Sequence, residues 1–215
     1  MPYTKEHKQR TRGRILREAA RAFRAEGIGG VAIPAVMGRA GLTHGGFYAH
    51  FASKDALVAS ACDEGFAEAG LELLDRVAAS APGDELRQII RAYLSRAHRD
   101  DPSSGCMLPS LTPEVSRASA EVRAGFTKAV LAYARKLAAY LPASAGQTAE
   151  ERETAALTLL AGMAGTLQLA RAVDDRALSD RILLAARARY IAEFADAQTP
   201  GGAAPDQPDH GAPGA

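Results

Sequence analysis

Between Ile33 and Leu57 the chain reads IPAVMGRAGLTHGGFYAHFASKDAL, and the second half of that stretch holds side chains that could grip a polyanion. Thr43 and Tyr48 offer hydroxyls, His44 and His50 offer imidazoles, and Lys54 offers an ammonium. These are hydrogen-bonding groups suited to phosphate oxygens and base edges rather than to bond breaking. Gly45 and Gly46 stand side by side among them. Each costs a helix about 1 kcal/mol relative to alanine, so the pair points to a steric requirement such as close approach of the backbone to a duplex. Thr43 has two readings, a helix N-cap or a donor to a phosphate held at a helix N-terminus. His44, the first long polar side chain of that helix, is the candidate for contact with base edges.

The charge distribution fits such a partner. Residues 1 to 54 hold ten lysines and arginines against three glutamates, a surplus of seven, whereas the whole chain carries only +1, so the remainder is acidic by six. A basic end on an acidic body is the footprint of polyanion binding, because phosphate neutralisation supplies most sequence-independent affinity for DNA. A solvated basic helix face is the other reading of the same count. No Ser-His-Asp spacing, glycine-rich phosphate loop or metal-ligand cluster is visible. The histidines at 7, 44, 50, 98 and 210 and the cysteines Cys62 and Cys106 have no zinc spacing, and two cysteines make no disulfide framework in 215 residues. The expectation is a protein that is not an enzyme and uses no metal or cofactor. The start MPYTKEHKQR lacks an apolar stretch behind its charges, and no later run reaches the about 18 apolar residues of a membrane span, so a cytoplasmic protein is expected.

The elements that must position these groups are helices. Ala, Leu, Arg and Glu dominate and apolar residues recur at three and four, which gives an all-α class. The first helix is expected from about Lys5 to Glu26, with Ile15, Ala19 and Phe23 on one stripe and Gly27 as its stop. The second follows Ile33, with Pro34 tolerated in its first turn, and ends at Gly41. The third starts at Thr43, and Ser53 caps a long fourth helix to about residue 79, with Leu57, Ala61, Phe66 and Leu71 as apolar positions. Past Pro82-Gly83-Asp84, a helix burying Leu86, Ile89, Ile90, Tyr93, Leu94 and Ala97 is expected to run to Arg99. Asp100 to Pro113 reads as irregular with one short helix, and Thr112-Pro113 as the opening of a helix to Pro142. Thr148 and Glu151 form a capping box for a helix to about Val173, and Ser179 is the expected cap of a last helix through Leu183, Leu184, Ile191 and Phe194. From Gln198 on, eight of eighteen residues are Pro or Gly and none is large and apolar, so a disordered tail is expected.

Phe47-Tyr48-Ala49-His50-Phe51 followed by Ser53-Lys54-Asp55-Ala56-Leu57 resembles the signature of the tetracycline-repressor (TetR) family, in which an aromatic-Tyr-x-His-Phe run closes the recognition helix and Ser-Lys-Asp/Glu-x-Leu follows. The two short helices joined around Gly41 and Leu42 then form a helix-turn-helix whose second helix enters the major groove. The resemblance implies that Tyr48 and His50 contact phosphates and that Lys54 adds a point charge to the same backbone. Phe47, Phe51 and Leu57 are assigned to the small core. Thr4, Lys5 and Arg10 extend the footprint as an N-terminal arm or lie solvated. One departure stands out: the family places a Thr or Ser cap before the second helix, and here the run is Val31-Ala32-Ile33-Pro34.

The resemblance is strong over the first quarter of the chain and architectural beyond it. It implies a helix-turn-helix DNA-binding domain over 1–60, a helical effector-binding and dimerisation domain over 61–197, and a tail over 198–215. In the family the last two helices pack against their mates in a four-helix bundle. The stripe Ala155, Ala156, Leu159, Gly162, Met163, Thr166 and Leu167 is expected to face the partner or, alternatively, the protomer's own core. The implied partners are a double-stranded pseudo-palindromic operator, a second copy of the chain, and a small-molecule or electrophile effector that moves the fourth helix. Tyr93, His98, Cys106, Met107, Phe126, Tyr133, Met163 and Gln168 fall on the helices that enclose the family's effector cavity. Gly105-Cys106-Met107-Leu108 resembles a Gly-Cys-Leu-like run in one branch of the family, some members of which sense electrophiles through the cysteine; a small buried hydrophobe is the alternative for Cys106. The expected function is a ligand-relieved repressor, with an activator of the same fold or a helix-turn-helix interaction module that binds no DNA as alternatives.

Overall fold

The computed structural model describes residues 5–196 apart from 79 and 143–145, with the backbone alone at 71–74 and 76. The described residues form helices and no strand: α1 (Lys5–Gly30), α2 (Ile33–Arg39), a 3₁₀ helix (His44–Ala49), α3 (Lys54–Ala78), α4 (Glu85–Tyr93), α5 (Arg96–Asp100), α6 (Met107–Val115), α7 (Ala120–Ala138), α8 (Ala149–Ala172), α9 (Arg176–Tyr190) and a closing π turn (Ile191–Ala195). The all-α class is as expected. In the head, Ile15, Ala19 and Phe23 close on Val36, Met37, Phe47, Phe51 and Leu57, all buried. Gly27 interrupts α1 at φ 77° and ψ 163°, and one further turn reaches Gly30. The Glu114 carboxylate occupies the space a Cβ on Gly27 would need and accepts the Gly29 N–H at 2.9 Å, so the end of α1 is tied to α6. α2 begins on Ala32 without a side-chain cap, as its sequence foretold, and Pro34 in the first turn has no N–H to leave unpaired. Ser53 Oγ accepts the Ala56 N–H at 3.0 Å and caps α3. Across the body, Phe66 of α3 stands edge-on to Phe126 of α7 and tilted against Tyr133, both at 5.8 Å.

Several boundaries differ from the sequence expectation. The helix expected to reach Arg99 breaks at Leu94, and Ser95 starts α5 by accepting the His98 N–H at 3.1 Å. Ala97, expected on a buried face, is consequently exposed. The helix expected from Thr112 to Pro142 is two helices: Pro113 lies inside α6, and Ser119 opens α7 by accepting the Val122 N–H at 3.4 Å. Asp175, not Ser179, caps the last helix, its Oδ1 accepting from Ala177 and Leu178 at 2.8 and 3.2 Å. Ser179 sits one turn inside and buried, donating to the Ala170 carbonyl at 2.6 Å. The Thr148–Glu151 capping box forms as expected. Leu71's side chain, Thr4 and the tail from Gln198 lie outside the described residues.

The α8 stripe assigned to a partner belongs largely to the protomer's own core. Ala156, Leu159, Met163 and Leu167 are buried, and Gly162 receives the chain's own Tyr190, whose hydroxyl lies 2.6 Å from where a Cβ would stand. One step round the helix, Thr158, Ala161, Gly165 and Leu169 face outward beside Leu184, Ala185 and Ala188 of α9, with Leu169 at 54% and Leu184 at 50% exposure.

A buried cation joins α1 to the body. Arg24, 3% exposed, donates from Nη2 to Glu68 Oε2 on α3 at 2.9 Å and from Nε to the Ser103 carbonyl at 2.6 Å, with Nη1 against the Met107 sulfur at 3.8 Å. A guanidinium out of water is tolerated only when paired and hydrogen-bonded, so this cation fixes α1, α3 and the segment leading into α6 in one arrangement. Arg24→Leu should lower the unfolding free energy in urea by about 3 kcal/mol, the lower end for a broken buried pair because Glu68 keeps some contact with water. Glu68→Gln, which keeps an acceptor in place, should cost less than half as much.

Candidate nucleic-acid interface and body cavity

Six residues with two adjacent glycines form the recognition element, which winds as a 3₁₀ helix rather than the expected α-helix. Thr43 enters it in extended backbone, but its side chain makes no capping hydrogen bond, so the cap role is corrected and the exposed hydroxyl points to no group of its own helix. Phe47 is buried and stacked on Phe51 at 5.7 Å; Tyr48 stands edge-on to Phe47 at 5.1 Å and to His44 at 6.4 Å. These contacts orient Tyr48 while leaving it 66% exposed. No atom lies within 4 Å of a Cβ built on Gly45, and one on Gly46 would meet only Met37 Cε at an ordinary 3.7 Å. The steric requirement inferred for these glycines is therefore not imposed by the protein's own packing.

His50 closes the 3₁₀ helix, half-buried, and its Nδ1 has no hydrogen-bond partner among the described residues. Burial, and then the charges of Lys8 and Arg12, lower its pKa from the usual 6.5. Lys54, expected to reach a phosphate, donates from Nζ to the Ile28 carbonyl at 2.6 Å, so its ammonium is tied to the last turn of α1. Other cations of the head are also committed. Arg12 lies 4.8 Å over the Phe51 ring and donates to Ser60 Oγ, Arg17 and Arg21 pair with Glu64 and Glu68 of α3, and Arg39 pairs with Glu26 at 2.6 Å. Lys5, Lys8, Arg10 and Arg14 are exposed at the start of α1 and carry no ion pair among the described residues. The positive charge open to a partner is thus concentrated at the end of α1 that lies beside His50.

A cavity of about 230 Å³ opens in the body between α3, α4, α5, α7 and the segment 101–106. Tyr93, His98, Cys106 and Tyr133, expected from the sequence, line it together with Asp101, Ser104 and Gly105. Four other expected residues lie elsewhere: Phe126 packs on Phe66, Met163 is in the core, Met107 faces Arg24, and Gln168 is exposed. The polar wall is tied together by hydrogen bonds. His98 Nε2 accepts the Cys106 N–H at 2.9 Å, which requires the Nδ1–H tautomer, and Nδ1 donates to the Tyr93 carbonyl at 2.8 Å. A Cβ on Gly105 would collide with that ring, so the bond depends on glycine there. Arg171 donates to the His98 and Arg99 carbonyls at 2.6 and 3.2 Å and to Ser110, closing the C-terminal end of α5. Burial raises the pKa of Cys106, with the nearby Tyr93 hydroxyl acting the other way, and burial with Asp63 pushes Cys62 up to about 12.

The model of bacterial regulatory proteins of the tetR family matches residues 15–61, the segment that holds α2, the 3₁₀ helix and the start of α3. The head of this chain is similar to the DNA-binding segment of the TetR family. Solved structures of similar fold include the reduced form of E. coli NemR, with a TM-score of 0.67 and 21% identity, covering 86% of this chain and 97% of that one. A TetR-family transcriptional regulator from Cytophaga hutchinsonii has a TM-score of 0.67 at 22% identity, covering 87% and 96%. FadR from Bacillus subtilis in complex with stearoyl-CoA has a TM-score of 0.57 at 16% identity, covering 80% and 96%. At these identities the likeness is one of fold. A comparison with curated protein sequences gives no match.

TetR-family regulators are DNA-binding transcriptional regulators, and in the head that resembles them the geometry brings forward two groups that the sequence did not single out. Lys8 was counted only within the basic total, although one helix turn of 3.6 residues from Arg12 puts both cations near His50. Arg24 was counted the same way, yet its place four residues past Ala20 on the buried stripe of α1 marked it as an inward-facing charge. The lowered pKa of His50 gives a sign for pH. The unfolded chain takes up the proton first, so the stability of the neutral ring is present above pH 6.5 and is lost as the pH falls through the lower folded value. Wild type should therefore lose more of its urea resistance between pH 7 and pH 5 than His50→Gln does.

Proposed function

We propose that this protein is a transcriptional regulator, not an enzyme, that holds a pseudo-palindromic operator as a homodimer and releases it when a small molecule occupies the body cavity. The observation that carries the reading is the recognition element. Its inner face, Phe47, is locked in the head core, while its outer face presents Thr43, His44, Gly45, Gly46 and Tyr48 with no protein group requiring the glycines. An outward backbone stripped of side chains and flanked by exposed cations suits a duplex. In this reading Tyr48, His50 and Lys8 meet phosphates, His44 meets base edges, and Lys54 acts by bracing α1 against α3. A DNA-binding role places the protein in the cytoplasm. The division proposed is a DNA-binding head to about residue 60, an effector and dimerisation body to 197, and a tail beyond.

Two heads must sit about 34 to 36 Å apart to engage successive major grooves, and the outward faces of α8 and α9, with Leu169 and Leu184, are the surface proposed for the second copy. Ligand response has a short route. The segment 101–106 lines the cavity, and its Ser103 carbonyl holds Arg24 of the head, so an occupant that shifts the segment shifts α1. A coupling of about 1 to 3 kcal/mol is the usual scale for such linkage. A protonated, buried Cys106 favours a reversible ligand over capture of an electrophile.

Gel shifts at several salt concentrations, using DNA from immediately upstream of the gene, test the reading. Tyr48→Ala should weaken binding to all duplexes, Lys8→Ala should reduce the salt slope by about 1, and His44→Ala should alter base preference. Gly45→Ala should leave the melting temperature unchanged or higher, because its Cβ meets open space, yet weaken operator binding at least about tenfold. Unchanged affinity in both Tyr48→Ala and Gly45→Ala removes the recognition element from the DNA.

A further inference from the structure

The charge on the wall of the body cavity narrows what can occupy it. Among the described residues that line it, Asp101 alone is charged in its ordinary state at neutral pH. His98 is the neutral Nδ1–H tautomer in its bonds to the Tyr93 carbonyl and the Cys106 N–H. Burial keeps the Tyr93 hydroxyl and the Cys106 thiol protonated, and the two are each other's partners. The wall therefore presents one negative charge and no positive one.

Asp101 is both exposed and part of the lining, so its carboxylate stands where the cavity meets solvent. Its Oδ1 accepts the Ser103 N–H at 3.0 Å and the Ser103 hydroxyl at 2.6 Å, and its Oδ2 accepts the Ser104 hydroxyl at 2.7 Å. These donors are neutral: they orient the carboxylate and hold its pKa below the usual value without cancelling its charge. A carboxylate has about four acceptor positions, so Oδ2 keeps one for a ligand. Arg171 attracts Asp101 from outside the lining but gives its hydrogen bonds to the His98 and Arg99 carbonyls and to Ser110. An anion in the cavity would be set beside a like charge, whereas an ammonium gains a charge-assisted hydrogen bond. Ala69, Ile89 and Ala92 supply an apolar side, and the rings of Tyr93 and Tyr133 add surface of the kind that attracts cations. The volume, about 230 Å³, lies above the about 150 Å³ that encloses benzene and below the range of drug-sized sites.

We propose that this cavity binds a small cationic amine, its ammonium on the Asp101 carboxylate and its single ring on Ala69, Ile89 and Ala92. The proposal rests on the reading of the cavity as the effector site and adds the class of molecule. The place of the charge fits that reading, because Ser103, which donates to Asp101, holds Arg24 through its carbonyl. A ligand drawn to Asp101 thus acts on the same turn that grips the head.

Benzylamine, benzyl alcohol and benzoate share a ring and differ in charge, so calorimetric titration of the full chain with each is the test. Benzylamine should bind about fivefold more tightly than benzyl alcohol, the upper end for an ion pair still in contact with water, and benzoate more weakly than both. Added sodium chloride should erode the advantage of benzylamine and leave benzyl alcohol unchanged. Asp101→Asn should bring benzylamine down to the level of benzyl alcohol. Ser104→Ala removes one donor to the carboxylate but keeps its charge, so it should preserve the preference and separates loss of charge from damage to the turn. Ala92→Leu, which fills the apolar side, should remove binding of benzylamine and benzyl alcohol alike.

Benzyl alcohol or benzoate binding wild type as tightly as benzylamine, or a preference for benzylamine that survives Asp101→Asn, overturns the class while leaving the effector cavity in place. A preference lost equally in Ser104→Ala assigns the effect to the turn and overturns the class as well. Should Asp101→Asn fail to fold, the order of the three probes on wild type still decides. Binding that survives Ala92→Leu puts the ligand elsewhere and overturns the proposal. If none of the three probes binds wild type, the cavity is not a small-molecule site, and both the class and the reading beneath it fall.

Discussion

A guanidinium withdrawn from water needs several acceptors in fixed places, and Arg24 takes them from two elements of the body, Glu68 of α3 and the carbonyl of Ser103 before α6. Because the charge is costly to strand, α1 cannot shift without either carrying those elements along or breaking the pair. From Arg24 to Lys8 the helix runs uninterrupted for sixteen residues, about 24 Å at the usual rise. A displacement at the cavity end is therefore delivered nearly undiminished to the basic end, since a helix of that length bends little. Glu114 on the Gly29 N–H and Lys54 on the Ile28 carbonyl brace the other end of α1.

The same accounting changes the meaning of the head's charge. Counted along the chain, the surplus of seven looks like a uniformly basic unit. In space, Arg17, Arg21 and Arg24 face Glu64 and Glu68, acids that come after the counted segment, and Arg39 faces Glu26. Exposed pairs of this kind contribute little to stability, but they cancel the field of the flank on which they lie. The remaining field is directional, strongest at the first two turns of α1.

Local signals were legible in the sequence wherever one residue type dictates one geometry: the stop at Gly27, the Ser53 cap, the Thr148–Glu151 box and the uncapped start of α2. The break at Leu94 was not, because the apolar period passes through it unchanged and only the Ser95 cap betrays it. Asp175 and Ser179 are both good caps one turn apart, and which one opens α9 is decided by the Arg99 and Ala170 groups that hold Ser179 inside. On α8, small and apolar residues occur on more than one side, so periodicity could not say which side meets the core. For the cavity, the sequence found Tyr93, His98, Cys106 and Tyr133 but not that Phe126, Met163, Met107 and Gln168 turn away, since the rotation of each helix about its axis is set by packing between elements distant in the chain.

The separation of the two faces of the 3₁₀ helix has a bearing on how such a protein diversifies. Phe47 anchors the element in the core, while His44 and Gly45 are exposed and Tyr48 meets the core only through the edge of the Phe47 ring. Substitutions at the outer positions leave the core packing intact, so variation there is filtered by the target sequence and hardly at all by foldability. After a gene duplication, two descendants could move to different targets by changes at these few positions, with the Arg24 linkage to the body inherited unaltered.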